Sequence, residues 1–571
     1  MANRKHSGRQ RGTALFLGTL SLIFIVPMVG LVIDVGILYS AKSRMQAAVD
    51  GAALAAARSL NVGQTTDDQA TSAKQNAVNW FYANFPTGNW STSNTQMDTT
   101  DTHVHVYDDP TNANLRRVDV TATTTVPTWF MRWFNINSTT LTSVGNASRR
   151  DVVMMVVLDR SYSMVQSGSC NNLKSAAKTF VGQFAAGRDR IGLASFAGEV
   201  LVQSAPSTSF RTNLGYYVDA SHSGNGEIDN IVCDGNTNTS QAISIAYNEL
   251  WKMNLPGALN ILLLETDGLP NSATVNFWDS ANPATGGLAN ASNCTDINNH
   301  KMSTAAPNKG FQTAAVLPQW STRVPFCGGA GQAACGTNNS YLSGNPQTTP
   351  GGTGGASYSA GIVGVVGSND PADGAAAFYV LQKPYTGVMP AGGGFNPPYI
   401  AAATAPGCGF TGSHGSVADF AWFPPTDVYG NKLKPASAYK AVTLAGDGIH
   451  VANTGWTNWH NGAINAADNA AYNARVGATL PAPNAGTNLS VLIDVIGLGS
   501  GIDHILLQRI ANDPNGDNFS GTSAYSACAS EAGCVTYGSP QQQGMYVFST
   551  DKSDLQQAFL SISSQILRLS R

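Results

Sequence analysis

The feature that most constrains this chain is an uncharged run near its start. Residues 13–33 carry no charged side chain, and 21 residues in a helix are long enough to cross the hydrocarbon core of a membrane. The preceding residues include four cations and no acid, namely Arg4, Lys5, Arg9 and Arg11. Because positive charge stays on the cytoplasmic side, we expect a cytoplasmic tail at 1–12 and a transmembrane helix at 13–35.

The location that follows is the inner (cytoplasmic) membrane, crossed once, with the main body periplasmic or extracellular. The alternative is a cleaved signal peptide, whose apolar region is normally shorter and is followed by a small-x-small cleavage site. Charged residues make up 12% of the chain, against about 25% in typical soluble proteins, and this low value is common outside the cytoplasm. A net charge of −3 gives no general attraction to nucleic acid.

The helix is expected to continue beyond the membrane. Asp34 ends the apolar run, and its carboxylate should lie at the far interface rather than at mid-bilayer. Small and apolar residues then recur at steps of three and four, at Met45, Val49, Ala52, Ala53 and Ala56. We therefore predict one long helix, half in lipid and half outside it.

Residues 36–150 combine this extended helix with the pattern of a small α+β domain. Residues 103–107 and 118–122 alternate as half-buried strands do. Pro127 then opens an aromatic segment at 129–134, which we interpret as a short amphipathic helix packing on the sheet. A long helix laid against a small sheet resembles pilin architecture.

The N-terminal sequence also resembles a known family. Residues 11–60 are RGTALFLGTLSLIFIVPMVGLVIDVGILYSAKSRMQAAVDGAALAAARSL, and they are similar to the start of the TadE/TadG-like proteins of the Flp (Tad-type) pilus. The shared marks are the Arg-Gly opening, Asp34 after the apolar run, and the tail that begins at Asp50. Pseudopilin members carry a Glu soon after the processing Gly, and none follows Gly12 here.

Eight cysteines, an even number, suit an oxidising compartment. Since no CxxC pattern occurs, disulfides are favoured over zinc. Two pairs are close enough in sequence to join within loops, Cys327 with Cys335 and Cys528 with Cys534. Cys170 and Cys233 form a third plausible pair, which leaves Cys294 and Cys408.

From residue 151 the pattern changes to that of an α/β domain. Apolar runs predict strands at 152–158, 191–196, 259–264, 489–496 and 545–548. Helical spacing occurs in between and at the end, near 173–184, 243–250, 463–476 and 555–566. Strand–helix alternation of this kind predicts a doubly wound, Rossmann-like fold with a parallel central sheet.

Oxygen-bearing side chains follow two of these predicted strands. Asp159, Ser161 and Ser163 come after the first, and Asp267 follows another in the sequence Thr-Asp-Gly. Residues past the carboxyl ends of such strands line the ligand crevice, so these groups predict an all-oxygen site for Mg²⁺, with Mn²⁺ or Ca²⁺ as alternatives. The competing interpretation is a metal-free network of hydrogen-bonded turns. Arg160, between the candidate ligands, is expected to be solvated.

This motif resembles the metal-ion-dependent adhesion site (MIDAS) of von Willebrand factor type A domains. The matching residues are Asp159, Ser161 and Ser163 in LDRSYSM, a threonine in GNTNTSQAI, and Asp267 in TDG. By position the threonine is Thr237, with Thr239 as the alternative. The resemblance implies that the hydroxyls contact the metal, that both aspartates hold it directly or through water, and that a partner's carboxylate takes the open position.

The resemblance places the type A domain at 151–274 and 456–571. Residues 275–455 form a Gly/Ala/Asn-rich insertion between these two parts. Loops of this length are normally functional or separately folded. Because the insertion leaves the sheet near Asp267, we expect it on the metal-bearing face, either presenting a ligand surface or covering the site.

The sequence favours a membrane-anchored, non-enzymatic pilus-assembly protein that binds an acidic group on a pilus or secretion component. The alternative is a pilus-tip or cell-surface adhesin that uses the same metal site together with the insertion. An enzyme is disfavoured, because the sequence contains no Gly-x-Ser-x-Gly, phosphate-loop or His-Glu-x-x-His motif.

Overall fold

The computed structural model describes most of the chain outside the insertion. The described residues are 8–198, 200–215, 226–233, 237–276, 363–367, 377–381, 399–401, 422–423, and 425–570 except 428, 437, 453, 455, 481 and 516–540. The chain divides into two compact units, Met1–Asp151 with Ser570–Arg571, and Val152–Leu569.

The first unit is built around one long helix. Helix α1 spans Gly8–Ser59 without interruption, and α2 spans Thr66–Asn84. Thr65 and Asp68 form a capping box at the start of α2, which satisfies amide groups that the helix leaves free. All five residues of the predicted periodic stripe, Met45, Val49, Ala52, Ala53 and Ala56, are fully buried. The long helix predicted from the sequence is therefore present.

The sheet of the first unit is antiparallel. Its strands are β1 (Ser93–Gln96), β2 (Val104–Asp108), β3 (Leu115–Pro127) and β4 (Ser138–Arg150). Strand β3 pairs with β4 along its whole length, while β1 and β2 pair with different parts of β3. Alternate β3 residues, including Val118, Val120 and Ala122, face a core shared with α1 and α2. This is the period-two burial that the sequence pattern predicts.

The aromatic segment at 129–134 differs from its prediction. It forms no amphipathic helix on the sheet but a hairpin loop between β3 and β4, with one 3-10 turn at Met131–Phe134. Trp133 and Phe134 are 71% and 64% exposed. The prediction was wrong because the loop packs against α1 rather than on the sheet, which leaves Trp129, Trp133 and Phe134 more than half exposed.

The second unit alternates strands and helices. Its helices are α3 (Tyr162–Gln166), α4 (Cys170–Val181), α5 (Phe210–Asn213), α6 (Thr239–Met253), α7 (Trp456–Val476), α8 (His504–Ala511) and α9 (Leu555–Leu569). Its strands are β5 (Val152–Asp159), β6 (Arg190–Phe196), β7 (Val200–Ser207), β8 (Leu259–Thr266), β9 (Ser272–Asn276), β10 (Val363–Gly367), β11 (Ala377–Leu381), β12 (Tyr399–Ala401), β13 (Trp422–Phe423), β14 (Val451–Ala452), β15 (Ala478–Thr479), β16 (Asn488–Leu489), β17 (Leu492–Leu498) and β18 (Tyr546–Ser549).

Six strands form the central sheet in the order β18-β17-β8-β5-β6-β7. Five of them are parallel, and the edge strand β7 pairs antiparallel with β6. The parallel sheet and the doubly wound α/β class are thus confirmed, with one antiparallel edge that the sequence did not predict.

Strand β5 shows why its apolar run is continuous. Val153, Met155 and Val157 pack in the core under α6, α7 and α8, while the alternating residues Val152, Met154 and Val156 pack under α4 and α9. All eight residues of β5 are buried, as expected for a strand with helices on both faces.

A disulfide joins Cys170 and Cys233, which confirms the third pair suggested by the sequence. It ties the first residue of α4 to a loop 63 positions later in the chain. The remaining cysteines, Cys294, Cys327, Cys335, Cys408, Cys528 and Cys534, lie outside the described residues.

Parts of the insertion are described. Strands β9 to β12 form an antiparallel sheet that begins five residues after Asp267, at Ser272. The stretch after residue 425 packs on the helices of the domain: Gln241 Nε2 on α6 donates to Tyr429 Oη at 2.8 Å, and Lys432 N donates to Asn469 Oδ1 on α7 at 2.9 Å.

Candidate metal centre

The candidate site lies at the carboxyl ends of two neighbouring strands. Strands β5 and β8 pair in parallel, with Leu158 opposite Glu265. Their last residues and the turns that follow therefore meet at one edge of the sheet, which is where α/β proteins bind ligands. The topology brings Asp159 and Asp267 together although they are distant in sequence.

Asp159 is fully buried, and hydrogen bonds hold both of its carboxylate oxygens. Ser161 N donates to Oδ1 at 2.7 Å, and Thr266 Oγ1 donates to Oδ2 at 2.5 Å. The first bond closes the turn after β5, and the second crosses to β8. Both carboxylate oxygens are thus oriented by this chain's own donors.

Three of the predicted ligands form a continuous run of oxygen contacts. Ser161 Oγ and Ser163 Oγ lie 2.8 Å apart, and Ser163 Oγ donates to Asp267 Oδ1 at 2.5 Å. Ser167 Oγ donates to the second carboxylate oxygen of Asp267 at 3.3 Å. Asp159, bonded to the backbone of Ser161, stands at the other end of the same run.

Thr237 borders the same pocket. A Cβ added to Gly268 would lie 3.4 Å from Ser163 Oγ and 3.5 Å from Thr237 Oγ1, so both hydroxyls face this glycine. Asn271 orients the threonine, because its Oδ1 accepts from Thr237 N at 2.7 Å and its N donates to Thr237 O at 3.0 Å. The alternative, Thr239, is the first residue of α6 and is also buried.

Burial and neighbouring charges at the site oppose the ionisation of its acidic side chains. Burial, and then the charge of Asp267, raise the pKa of Asp159 to about 7. Burial likewise raises the pKa of Asp267. Burial, with the charges of Asp159 and Asp267, raises the pKa of Glu265 well above its usual value. These shifts favour the protonated acids, and a cation bound between Asp159 and Asp267 would favour their charged forms instead.

Four residues at the site were not predicted from the sequence. They are Glu265, Thr266, Ser167 and Asn271, which supply charge or orient the candidate ligands. The sequence does hold a signal for Thr266 and Glu265, because they directly precede Asp267 at the end of a strand that is predicted to lead into the metal site. Nothing in the sequence marks Ser167 or Asn271.

Arg160 corrects a prediction. It was expected to be solvated, yet it is 0% exposed. Its backbone N donates to Phe196 O at 2.8 Å, so the strand pairing of β5 with β6 extends to the backbone of this residue.

The residues present fit a hard divalent cation. The candidate ligands that converge here carry only carboxylate or hydroxyl oxygens, the donor type that Mg²⁺ and Ca²⁺ prefer. No group of three or more His, Cys, Asp or Glu side chains arranged for a metal occurs among the described residues. The mixed carboxylate–hydroxyl cluster is therefore the candidate metal centre among the described residues.

Family models match two regions of the chain. Residues 12–59 match the family described as putative Flp pilus-assembly TadE/G-like, and residues 154–269 match the von Willebrand factor type A domain. The chain is TadG-like and carries a type A domain. The second match contains every candidate metal ligand, from Asp159 to Asp267.

Solved structures of pilus proteins are similar to this TadG-like chain at low identity. The PilB minor pilin from Streptococcus sanguinis is 12% identical, with 84% of this chain and 80% of that chain covered and a TM-score of 0.30. The vWF domain of the type V pili tip protein Mfa5 from Porphyromonas gingivalis is 14% identical, with 74% and 98% covered and a TM-score of 0.30. No curated protein sequence matches the chain.

The TadG-like chain is membrane-anchored. Among the described residues, one helix is long and apolar enough to cross a membrane, over Phe16–Ser59. Its apolar side chains are exposed rather than packed in a core, as Met28 (69%) and Val32 (70%) show. A core helix of a soluble protein would bury such residues.

Proposed function

We propose that this chain is a membrane-anchored, non-enzymatic Flp/Tad pilus-assembly protein that binds a partner protein through a metal-ion-dependent adhesion site. The metal would be held by Asp159, Ser161, Ser163, Thr237 and Asp267. Mg²⁺ is the first candidate, with Mn²⁺ or Ca²⁺ as alternatives. The partner would be a pilus or secretion component that supplies an acidic side chain.

The observation that carries the proposal is the run of contacts from Ser161 through Ser163 to Asp267. It supports a shared site because Ser163 lies within hydrogen-bond distance of both Ser161 and Asp267, so candidate ligands from two separate turns are in contact. A bound divalent cation would supply an open coordination position for the carboxylate of a partner.

The chain's own residues would prepare that position. Thr266 and the Ser161 amide hold the Asp159 carboxylate, and Ser167 holds the outer oxygen of Asp267. Asn271 fixes the backbone of Thr237, so the threonine hydroxyl is presented by a braced turn. Groups preorganised in this way lose little entropy on binding.

Capture of pilus components by the full chain, solubilised from membranes with and without chelator, tests the proposal. We expect capture to require a divalent cation and to be lost in the double variant Ser161→Ala with Asp267→Ala, while export and membrane retention persist. Ser175→Ala, an exposed serine on α4, is the matched control and should capture normally. Capture that survives both the chelator and the double variant would rule out the metal-bridged mechanism.

We further propose that the N-terminus is cytoplasmic, in the inner membrane, and that the main body is exported. The four cations before the apolar run support this orientation. Protease added to intact spheroplasts should digest the type A domain and leave the 1–12 tail protected.

The second candidate function is an adhesin at the pilus tip or cell surface. It is favoured by the position of the β9–β12 sheet, whose first strand starts at Ser272, directly after the turn that carries Asp267. Such an insertion would contribute to a ligand surface beside the metal site. Recovery of the protein in sheared pili favours the adhesin, whereas retention in the inner membrane favours the assembly role.

A further inference from the structure

The loop that joins β3 and β4 is a structured aromatic projection. Residues 128–137, here called the aromatic loop, are closed at the base, where Thr128 N donates to Asn137 O at 3.1 Å and Thr128 Oγ1 donates to Ile136 O. Ile136 N donates to Met131 O at 3.2 Å across the loop. The loop is thus held in shape by its own backbone.

Asp34 on helix α1 holds the loop in place. Its Oδ1 accepts from Trp129 N at 2.9 Å, and its Oδ2 accepts from Phe130 N at 2.8 Å and from Met131 N at 2.6 Å. The carboxylate is 1% exposed. Three amide donors satisfy an acid that would otherwise be costly at the end of an apolar helix.

Gly30 makes a second contact one helical turn earlier. A Cβ at this position would lie 2.4 Å from ring atoms of Phe130, so only glycine lets the ring approach the helix this closely. Gly30 belongs to the uncharged run 13–33. The aromatic loop therefore reaches back along α1 to the level of its apolar segment.

The loop presents large apolar side chains that the described protein leaves about half exposed or more. Trp129, Trp133, Phe134 and Ile136 are between 46% and 71% exposed. Arg132 is the only charged residue in the loop, and it is also exposed. Trp side chains with a neighbouring Arg are the composition typical of a membrane–water interface, where indole rings lie at headgroup depth and long cations extend to phosphates.

We propose that the aromatic loop inserts into the lipid interface where α1 leaves the bilayer, with Asp34 as the residue that positions it. The occupant is the lipid surface because the loop packs on α1 at Gly30 and Asp34, within and at the end of the apolar run whose other side chains, such as Met28 and Val32, are exposed. The small domain is then attached to the membrane at two points, and its tilt is restricted. This inference rests on the membrane anchor and is independent of the metal site.

Trp80 provides an internal comparison. It is exposed (47%), belongs to the same unit, and packs on α1 at another glycine, Gly51, just as Phe130 packs on Gly30. The two glycines are 21 positions apart on the helix, which is about 30 Å along the axis at roughly 1.5 Å per residue. Trp80 therefore lies well beyond the lipid interface.

Photocrosslinking tests the inference in the membranes of producing cells. Full-length chains would carry benzoylphenylalanine at position 133 or, as the matched control, at position 80. After irradiation and denaturing purification, mass spectrometry would identify the adducts. We expect phospholipid adducts at 133 and none at 80; position 129 serves as a second loop site if the first substitution impairs folding.

A separate variant tests whether Asp34 positions the aromatic loop. In the chain labelled at 133, Asp34→Ala should lower the yield of lipid adduct several-fold while the protein stays in the membrane fraction and keeps its Cys170–Cys233 disulfide. Protein adducts at 133 in place of lipid, with a second copy or with another protein, would overturn the proposal. Lipid adducts that are equal at 133 and 80, or absent from both loop sites, would overturn it as well.

Discussion

Ser163 donates a hydrogen bond from its hydroxyl to Asp267 Oδ1 at 2.5 Å, across 104 positions of sequence. The bond connects the turn after β5 with the turn after β8. Neither turn could form this contact alone, because each supplies only part of the oxygen cluster. The candidate metal site is therefore a product of the parallel pairing of the two strands.

Removing the hydroxyl of Thr266 should weaken metal binding without removing a ligand. Thr266 Oγ1 orients Asp159 Oδ2, and the loss of such supporting groups typically costs about 10- to 100-fold in metal affinity. We expect Thr266→Val to show this loss for Mg²⁺ or Mn²⁺ in calorimetric titration of the full chain. Thr266→Ser keeps the hydroxyl and is the control; equal affinities of the two variants would contradict the assigned role.

Metal affinity should depend on pH near neutrality. Because the pKa of Asp159 is raised to about 7 in the metal-free protein, a proton must leave before the carboxylate can bind a cation. Affinity should therefore fall as the pH drops through the range in which Asp159 and Asp267 become protonated, by about tenfold per pH unit for each proton that must be released. Mn²⁺ titrations between pH 5.5 and 8.5 measure this; a flat profile would contradict a protonated Asp159.

Asp494 offers a test of buried charge away from the site. It is fully buried on β17, and Met545 N donates to its Oδ1 at 2.9 Å. Burial raises its pKa to about 7, so the folded state holds a proton that the unfolded state releases near pH 4. The stability associated with the neutral form is complete below about pH 4 and is lost as the pH rises through 7.

Asp494→Asn should accordingly stabilise the protein at high pH. We expect a gain in unfolding free energy that is near zero below about pH 4 and on the order of 1–4 kcal/mol above pH 7. Urea unfolding of the detergent-solubilised chain at several pH values measures it. The exposed Asp554→Asn is the control, and an equal pH trend in both variants would refute the explanation.

The disulfide should contribute strongly to the stability of the type A domain. Since Cys170 and Cys233 close a loop of 63 positions, replacing both with Ser should cost about 2–4 kcal/mol of unfolding free energy. Urea unfolding of the double variant checks the size of the effect. Non-reducing peptide mapping of the wild type should recover the linked 170–233 pair, and two unlinked peptides would contradict the structure.

Much of this fold could be predicted from the sequence, because its signals are local. The apolar run of β5 alternates between two buried faces, so its composition alone indicates a strand covered on both sides. The stripe from Met45 to Ala56 has helical spacing because one face of α1 packs on the small sheet. Asp159, Ser161, Ser163 and Asp267 could be grouped because parallel strands end at one edge.

The remainder depends on contacts between distant segments. The backbone of Arg160 bonds to Phe196, and the backbone of Thr237 bonds to Asn271; no spacing rule connects either pair. The prediction of an amphipathic helix at the aromatic loop is wrong for the same reason. The apolar rings of the loop indicate burial, but Asp34, some 95 residues earlier, fixes their position. It does so by accepting hydrogen bonds from backbone amides, which are present whatever the side chains are.

The most direct test of the central claim is the metal content of the purified full-length chain after saturation with Mn²⁺ and removal of excess ion. We predict one equivalent of Mn²⁺ per chain in the wild type and in Ser175→Ala, and none in the double variant Ser161→Ala with Asp267→Ala. A wild-type chain without bound metal, or a double variant that retains a full equivalent, would contradict the proposed adhesion site.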